Sequence, residues 1–263
     1  MLKMGAFLDG YLNSPIAGIA PWVLFSVLSS PGRLEVAVCS ALGLSVLTLW
    51  IGLRRGVAVY ALDALSVAFF AVLAVIGLVA SDGVIAFLEL WAGELTNIVL
   101  ALFVIGTILI RRPFTLAYAK KQAPEEFWDT PLFKKINYMI SGVWAAAFVF
   151  SAVVGLIGDA ILKDPNNFWT GWVLQLGALF FAIAYTEFYP DYATAHDVDA
   201  GGDEPAPPII KLFDWLPTFI LIAGIFGWVT DALPDTIGIG MIVVGIAGAA
   251  LVKKFVPAEE STP

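Results

Sequence analysis

Long apolar runs broken by short charged turns constrain this chain more than any other feature of its sequence. A bilayer's hydrocarbon core, about 30 Å thick, takes about 20 apolar residues as a helix. Only a segment that satisfies its own backbone hydrogen bonds is stable there. Eight runs qualify: 15–30, 34–53, 57–80, 84–110, 138–162, 168–189, 209–229 and 236–252. The first is short and carries Pro15, Gly18 and Pro21, so a tilted, broken or partly inserted helix is expected there. The fold class that follows is all-α, a polytopic membrane helix bundle of about eight spans.

Composition agrees. Charged residues make up 14% of the chain, against roughly 25% in a soluble domain. The net charge of −8 gives no reason to expect a nucleic-acid partner, because the acids sit mainly at helix ends, in one linker and in the tail. A single cysteine, Cys39, excludes an internal disulfide and a cysteine metal cluster. Beside Ser40, Ala41 and Gly43 it reads as a packing residue. A single histidine, His196, excludes His-rich metal or haem ligation by this chain alone, and its polar surroundings predict a solvated side chain. The N-terminus shows no basic stretch followed by a long apolar core, so no cleavable signal peptide is expected.

The segment from Arg111 to Asn137 is the only long charged stretch between apolar runs, and it holds six of the fourteen basic residues. If all eight runs span, Lys3, Arg54 with Arg55, the six basic residues of this loop and Lys253 with Lys254 fall on one side. Arg33 and Lys163 fall on the other. That asymmetry makes the basic side, and both termini, cytoplasmic. Within the loop, Phe114, Ala117 and Tyr118 form an apolar stripe at helical spacing, expected to lie along the membrane. Pro124 before Glu125 and Glu126 reads as a helix start, and Asp129 or Thr130 before Pro131 as a second cap. Phe127 and Trp128 are expected at headgroup depth. Arg111, Arg112, Trp128, Lys134 and Lys135 are the candidate contacts for a cytoplasmic partner. A docked elbow joining two helices is the plainer reading of the same loop.

Ionisable residues inside a bilayer are costly and are default functional candidates. Asp63 reads as two turns into the third span. With Glu94, Asn97 on the same face of the fourth span, and Gln175 on the sixth, it makes up the candidate polar membrane site, the last three lining a vestibule between spans four and six. Interhelical hydrogen bonds are the structural alternative. No acid reaches the centre of its span and no lysine lies there. No Ser-His-Asp, GxxxxGK or HExxH pattern appears. No catalytic, cofactor or metal residues are therefore assigned. Weak similarity between the stretches from Gly77 and from Gly155 leaves open a repeated helical hairpin.

The division that follows is a six-span core over 15–189, a polar linker over 190–208, a two-helix hairpin over 209–254 and a tail, 255–263, expected to be disordered. The core has a further property. Its Pro21-Trp22-Val23-Leu24-Phe25 run lies in a short proline-containing first span, and its fourth span ends in Arg111-Arg112-Pro113. Trp128 follows Pro124, Asn137 enters the fifth span ahead of Trp144, Ala145 and Phe148, and Asn167-Phe168-Trp169 restarts the sixth. Over residues 15–189 this resembles the intracellular septation protein A family of bacterial inner-membrane proteins. The Asn137–Trp144 spacing is one helical turn longer than the family pattern and the loop is longer. The last two spans lie outside the pattern, so the likeness is to an extended member. The resemblance implies a role in envelope maintenance and division through contacts with other membrane proteins, and it brings no catalytic residues.

Three functional expectations follow. The first is a non-enzymatic membrane protein acting through contacts with lipids and other membrane proteins, itself included as a homo-oligomer. The second is a small-molecule transporter with a polar pocket between spans three to six. The third is an accessory subunit of a larger membrane complex whose cofactors sit on other chains.

Overall fold

The computed structural model describes residues 10–29, 32–165, 167–197 and 205–255. Every regular element among the described residues is helical, with no strand among them. The helices are α1 (Pro15–Leu28), α2 (Leu34–Arg54), α3 (Ala61–Val79), α4 (Asp82–Leu109), α5 (Thr115–Gln122), α6 (Pro131–Leu156), α7 (Leu174–Ala195), α8 (Leu216–Val229) and α9 (Asp235–Phe255). Helix α6 runs on as a π-helical stretch, Ile157–Leu162, and α7 is preceded by another, Phe168–Val173. A 3-10 turn, Ile209–Phe213, leads towards α8. Among the described residues seven helices are long and apolar enough to cross a membrane, and α1, at 14 residues, is a shorter apolar helix. The expectation for the tail beyond residue 255, and for the middle of the linker, lies outside the described residues.

Helix ends follow the charges and caps in the sequence. Glu35 opens α2 and Arg54 closes it, and Asp235 opens α9 while Lys253 and Lys254 close it. Each charge opposes the helix dipole at its own end. Ser81 takes the N-cap of α4, so Asp82 is already helical and the gap left between the apolar runs 57–80 and 84–110 is partly taken up by helix. Two C-termini share one geometry. After α2, Gly56 (φ 74°) is left-handed, with Gly56 N–H on Leu53 O and Val57 N–H on Gly52 O. After α4, Arg111 (φ 60°) does the same with Arg111 N–H on Ile108 O and Arg112 N–H on Thr107 O. This paired return is a Schellman motif, where glycine is the usual residue.

Helix α7 is longer than expected. It continues through Pro190 to Ala195 instead of ending at Tyr189. Proline removes one backbone donor, but ring pairs at one-turn spacing surround it: Tyr185 stacked on Tyr189 (4.9 Å), Phe188 stacked on Tyr192 (5.2 Å) and Tyr192 tilted against His196 (4.3 Å). Thr194 Oγ1 also donates to Pro190 O. His196 is thus held on its own helix, with Nδ1 at 2.8 Å from Tyr192 O.

The chain divides into two compact units, Met1–Ala145 and Ala146–Pro263. In the first, α1 packs on α2 and α3. Its core is aromatic. Trp22 stacks on Phe69 at 4.8 Å, and Phe70 lies 5.1 Å from Trp22 and 5.3 Å from Phe25. Trp22 and Trp144 are almost wholly buried. Cys39 is exposed, correcting its reading as a packing residue. It falls off the buried stripe of α2, which runs through Leu34, Ala37, Val38, Ala41 and Ser45.

In the second unit, α8 and α9 form a tightly packed hairpin. Glycines set its closeness. A methyl group on Gly245 would lie 2.7 Å from Leu221 N and 2.8 Å from its Cα, and one on Gly224 would lie 3.0 Å from Gly238 O. Phe168, Ala223 and Leu233 form its small buried core.

Candidate functional site

The most unusual polar arrangement lies in the first unit, at the end where α2 stops and α3 starts. Helix α1 crosses α3 at Gly18, where an added Cβ would sit 2.8 Å from Leu62 Cδ2 and 3.2 Å from Asp63 Oδ1. One turn further on, Trp22 Nε1 donates to Ser66 Oγ at 2.6 Å, and Ser66 Oγ donates to Leu62 O at 2.8 Å. Buried groups of this kind are stable only when paired. They fix the register of α1 on α3.

That register brings Asp63 to a cluster of phenols. Asp63 Oδ2 accepts from the Tyr60 backbone N–H at 3.3 Å, half of a capping box that starts α3. The expectation that Asp63 lies two turns into its span is therefore corrected, because it belongs to the first turn. Residues 57–60 are apolar but not helical, since Val57 is spent on the Schellman return of α2.

Tyr60 is 4% exposed and donates through Oη to Asn13 Oδ1 at 2.9 Å. Its ring stacks on Tyr118 of α5, with centroids 4.0 Å apart. Tyr118 is 3% exposed, and its Oη has no partner among the described residues. Burial, and then the Asp63 charge, push the phenols of Tyr11, Tyr60 and Tyr118 above their ordinary value, with Tyr118 moved furthest. All three phenols therefore lie within electrostatic reach of the carboxylate.

Helix α5 is locked against α6 by further polar contacts. Thr115 Oγ1 donates to Asn137 O at 3.0 Å and lies 2.9 Å from Ser141 Oγ. Asn137 is 1% exposed, with Nδ2 donating to Phe133 O at 2.9 Å, while its Oδ1 has no partner among the described residues. The ring of Phe114 meets Tyr118 and Trp144 edge-on at 6.4 and 6.5 Å. The stripe expected on α5 is thus covered by protein rather than turned to the membrane. Thr115 takes the place expected of Ala117, which is exposed.

The remaining sequence candidates separate. Glu94 is buried and Asn97 half-buried on α4 in the first unit, whereas Gln175 belongs to the second, where Nε2 donates to Thr170 O at 2.9 Å. Glu89, at the opposite end of the first unit from Asp63, accepts from Gly32 N–H at 2.9 Å and Leu34 N–H at 3.4 Å, which caps α2.

In the loop, Arg111, Arg112, Lys134 and Lys135 are exposed. Lys134 pairs with Asp129 at 3.0 Å, a surface contact of little energetic weight. Trp128 donates from Nε1 to Ala123 O, and Lys120 Nζ lies 4.8 Å from its ring. Asn13, Tyr60, Tyr118 and Asn137 were not singled out by composition or spacing as members of one site. The available signal was local: Thr115 and Tyr118 at i, i+3 and Asn137 and Ser141 at i, i+4, polar groups repeated on otherwise apolar helix faces.

No protein-family model, curated protein or solved structure matches the chain.

Proposed function

We propose that this chain is a non-enzymatic, multi-pass membrane protein that acts by contact, presenting the 111–137 loop to a membrane-protein partner. The observation that carries this reading is the built character of the loop. Arg111 and Arg112 close a Schellman return, Phe114, Thr115 and Tyr118 are buried, and Lys120 covers Trp128. Four exposed basic side chains and the half-exposed ring of Phe127 are thus displayed on an ordered support. Preorganised display lowers the entropic cost of association. Aromatic and arginine side chains are the usual anchors of such contacts.

In this reading the loop and both termini face the cytoplasm of a bacterial cell, and α1 enters the membrane as a short eighth segment. Its 14 residues reach about 21 Å, less than a full hydrocarbon core. A partner among envelope and division proteins is what the resemblance to the septation protein A family implies.

The test is photo-crosslinking from position 127 in native membranes. A division or envelope membrane protein captured by the wild type, and lost when Arg111 and Arg112 are both replaced by Ala, supports the reading. Crosslinks to lipid alone end it. Topology is checked separately with a single cysteine at position 127 in a Cys39→Ser background. Labelling by an impermeant maleimide only in inverted vesicles is expected, and labelling of intact cells would reverse the orientation.

A further inference from the structure

The contact reading uses the 111–137 loop and leaves the outer face of α2 unassigned. That face ends in an ordered cation. The Arg54 guanidinium lies 4.9 Å from the centre of the Trp50 ring. Both side chains are exposed, and Arg54 meets no carboxylate among the described residues. Asp63, in the first turn of the next helix, is taken by the Tyr60 N–H and lies against Gly18. A guanidinium laid on a ring keeps its donors at its edge, where they match the oxygens of a phosphate. The ring also restrains a long side chain, so less rotamer freedom is lost on binding. A helix C-terminus ordinarily repels a phosphate. Here the return after Arg55 occupies the Ile51, Gly52 and Leu53 carbonyls, and Arg54 with Arg55 supplies two positive charges.

Below the cation the same face is apolar. Gly43, Leu47, Trp50 and Arg54 recur at helical spacing, and all four are exposed. A Cβ on Gly43 would meet nothing within 4 Å, so open space lies over the start of the stripe. From Gly43 to Arg54 the helix rises about 16 Å, close to the depth of one leaflet's hydrocarbon, about 15 Å. A tryptophan at the end of such a stripe sits where tails give way to headgroups.

We propose that this face holds one anionic phospholipid, with its phosphate on Arg54 beside Trp50 and an acyl chain along Leu47 and Gly43. Charge selects the lipid. A zwitterionic headgroup brings its own cation towards Arg54 and Arg55, whereas an uncharged glycerol headgroup leaves the phosphate free to pair with them. The inference needs the chain to lie in a membrane and is independent of whether the loop binds a protein.

Native mass spectrometry of the full chain released from detergent micelles tests the site. The probes are phosphatidylglycerol and phosphatidylcholine with identical chains. One retained phosphatidylglycerol is expected, held at least tenfold more strongly than phosphatidylcholine. Arg54→Gln should weaken it about tenfold and Trp50→Leu several-fold. Arg54→Lys keeps the charge but loses the planar fork, and it should fall between the wild type and Arg54→Gln. Lys135→Gln removes an equal charge elsewhere in the first unit and should leave retention unchanged. Equal retention of the two lipids, unchanged retention in Arg54→Gln, or an equal loss in Lys135→Gln overturns the proposal. So does a dimer of the chain that Trp50→Leu dissolves, because a second copy would then cover the face.

Discussion

The two units hold their helices together by different means. In the first, polar side chains cross between helices: Trp22 to Ser66, Glu89 to the start of α2, Thr115 to Asn137 and Ser141. In the second, α8 and α9 approach chiefly through missing side chains, with Gly224, Gly238 and Gly245 seated against the facing backbone. A side-chain tie, Trp228 Nε1 to Asp235 Oδ1, lies at their joined ends, and in the first unit Gly18 is the corresponding notch. In a bilayer lipid is as apolar as leucine, so there neither pairing would be driven by the hydrophobic effect that assembles a soluble core. Polar ties specify a partner and a register, and they respond to charge. Glycine notches specify only distance, and they respond to volume.

The sharpest way to break this comparison is to fill a notch. Gly245→Ala places a methyl group against Leu221 backbone atoms that no rotamer change can move. A loss of about 2–3 kcal/mol is expected from overpacking, read by reversible unfolding in mixed micelles. Gly240→Ala is the control. A Cβ there meets nothing within 4 Å, and helix propensity favours alanine by up to about 1 kcal/mol. Equal losses at both positions would show that closeness is not what the glycines provide.

The matching test on the first unit is Trp22→Phe. It removes the donor to Ser66 and keeps an aromatic ring over Phe69. Ser66 retains its bond to Leu62 O, so no acceptor is stranded. A loss of about 1–2 kcal/mol is expected from one buried hydrogen bond and the smaller ring. A variant as stable as the wild type would move the weight of the α1–α3 contact from the polar tie to the Gly18 crossing.

Charge should separate the units as volume does. Burial and the Asp63 carboxylate raise the Tyr118 phenol well above its ordinary 10. A raised folded-state value means that the folded protein holds its proton after the unfolded chain has released it. Stability is then complete below about pH 10 and falls as pH rises beyond it, by up to about 1.4 kcal/mol per pH unit from this group. Tyr118→Phe removes that dependence. Its stability relative to wild type should therefore rise between pH 9 and pH 11. An unchanged difference across that range would place the phenol in water.

The apolar runs alone place the long helices of both units, because length and hydropathy are properties of one segment at a time. Asp63 was misplaced by local reading. Val57, Ala58 and Val59 are apolar, but Val57 is needed for the return after Gly56, and the helix waits for Tyr60 and its Asp63 cap. Pro190 reads as a stop, and only the ring stacking on both sides shows why the helix continues. The polar cluster was least legible. Asn13, Tyr60, Tyr118 and Asn137 lie on four separate segments, and each looks ordinary until packing brings three of them to Asp63 or its seam.

The smallest expected effect concerns the helix ends at Gly56 and Arg111, which share one geometry but not one residue. A side chain in the left-handed region costs about 1–2 kcal/mol, while glycine raises the entropy of the unfolded chain and returns part of that gain. Arg111→Gly is therefore expected to stabilise the first unit by only about 0.5–1 kcal/mol. It also removes a basic residue from the loop edge. If the loop works by contact, the variant should unfold later and crosslink less from position 127. Gains in both would mean that Arg111 serves the turn alone. A loss of stability would mean that its guanidinium anchors the loop strongly enough to outweigh the backbone strain it carries.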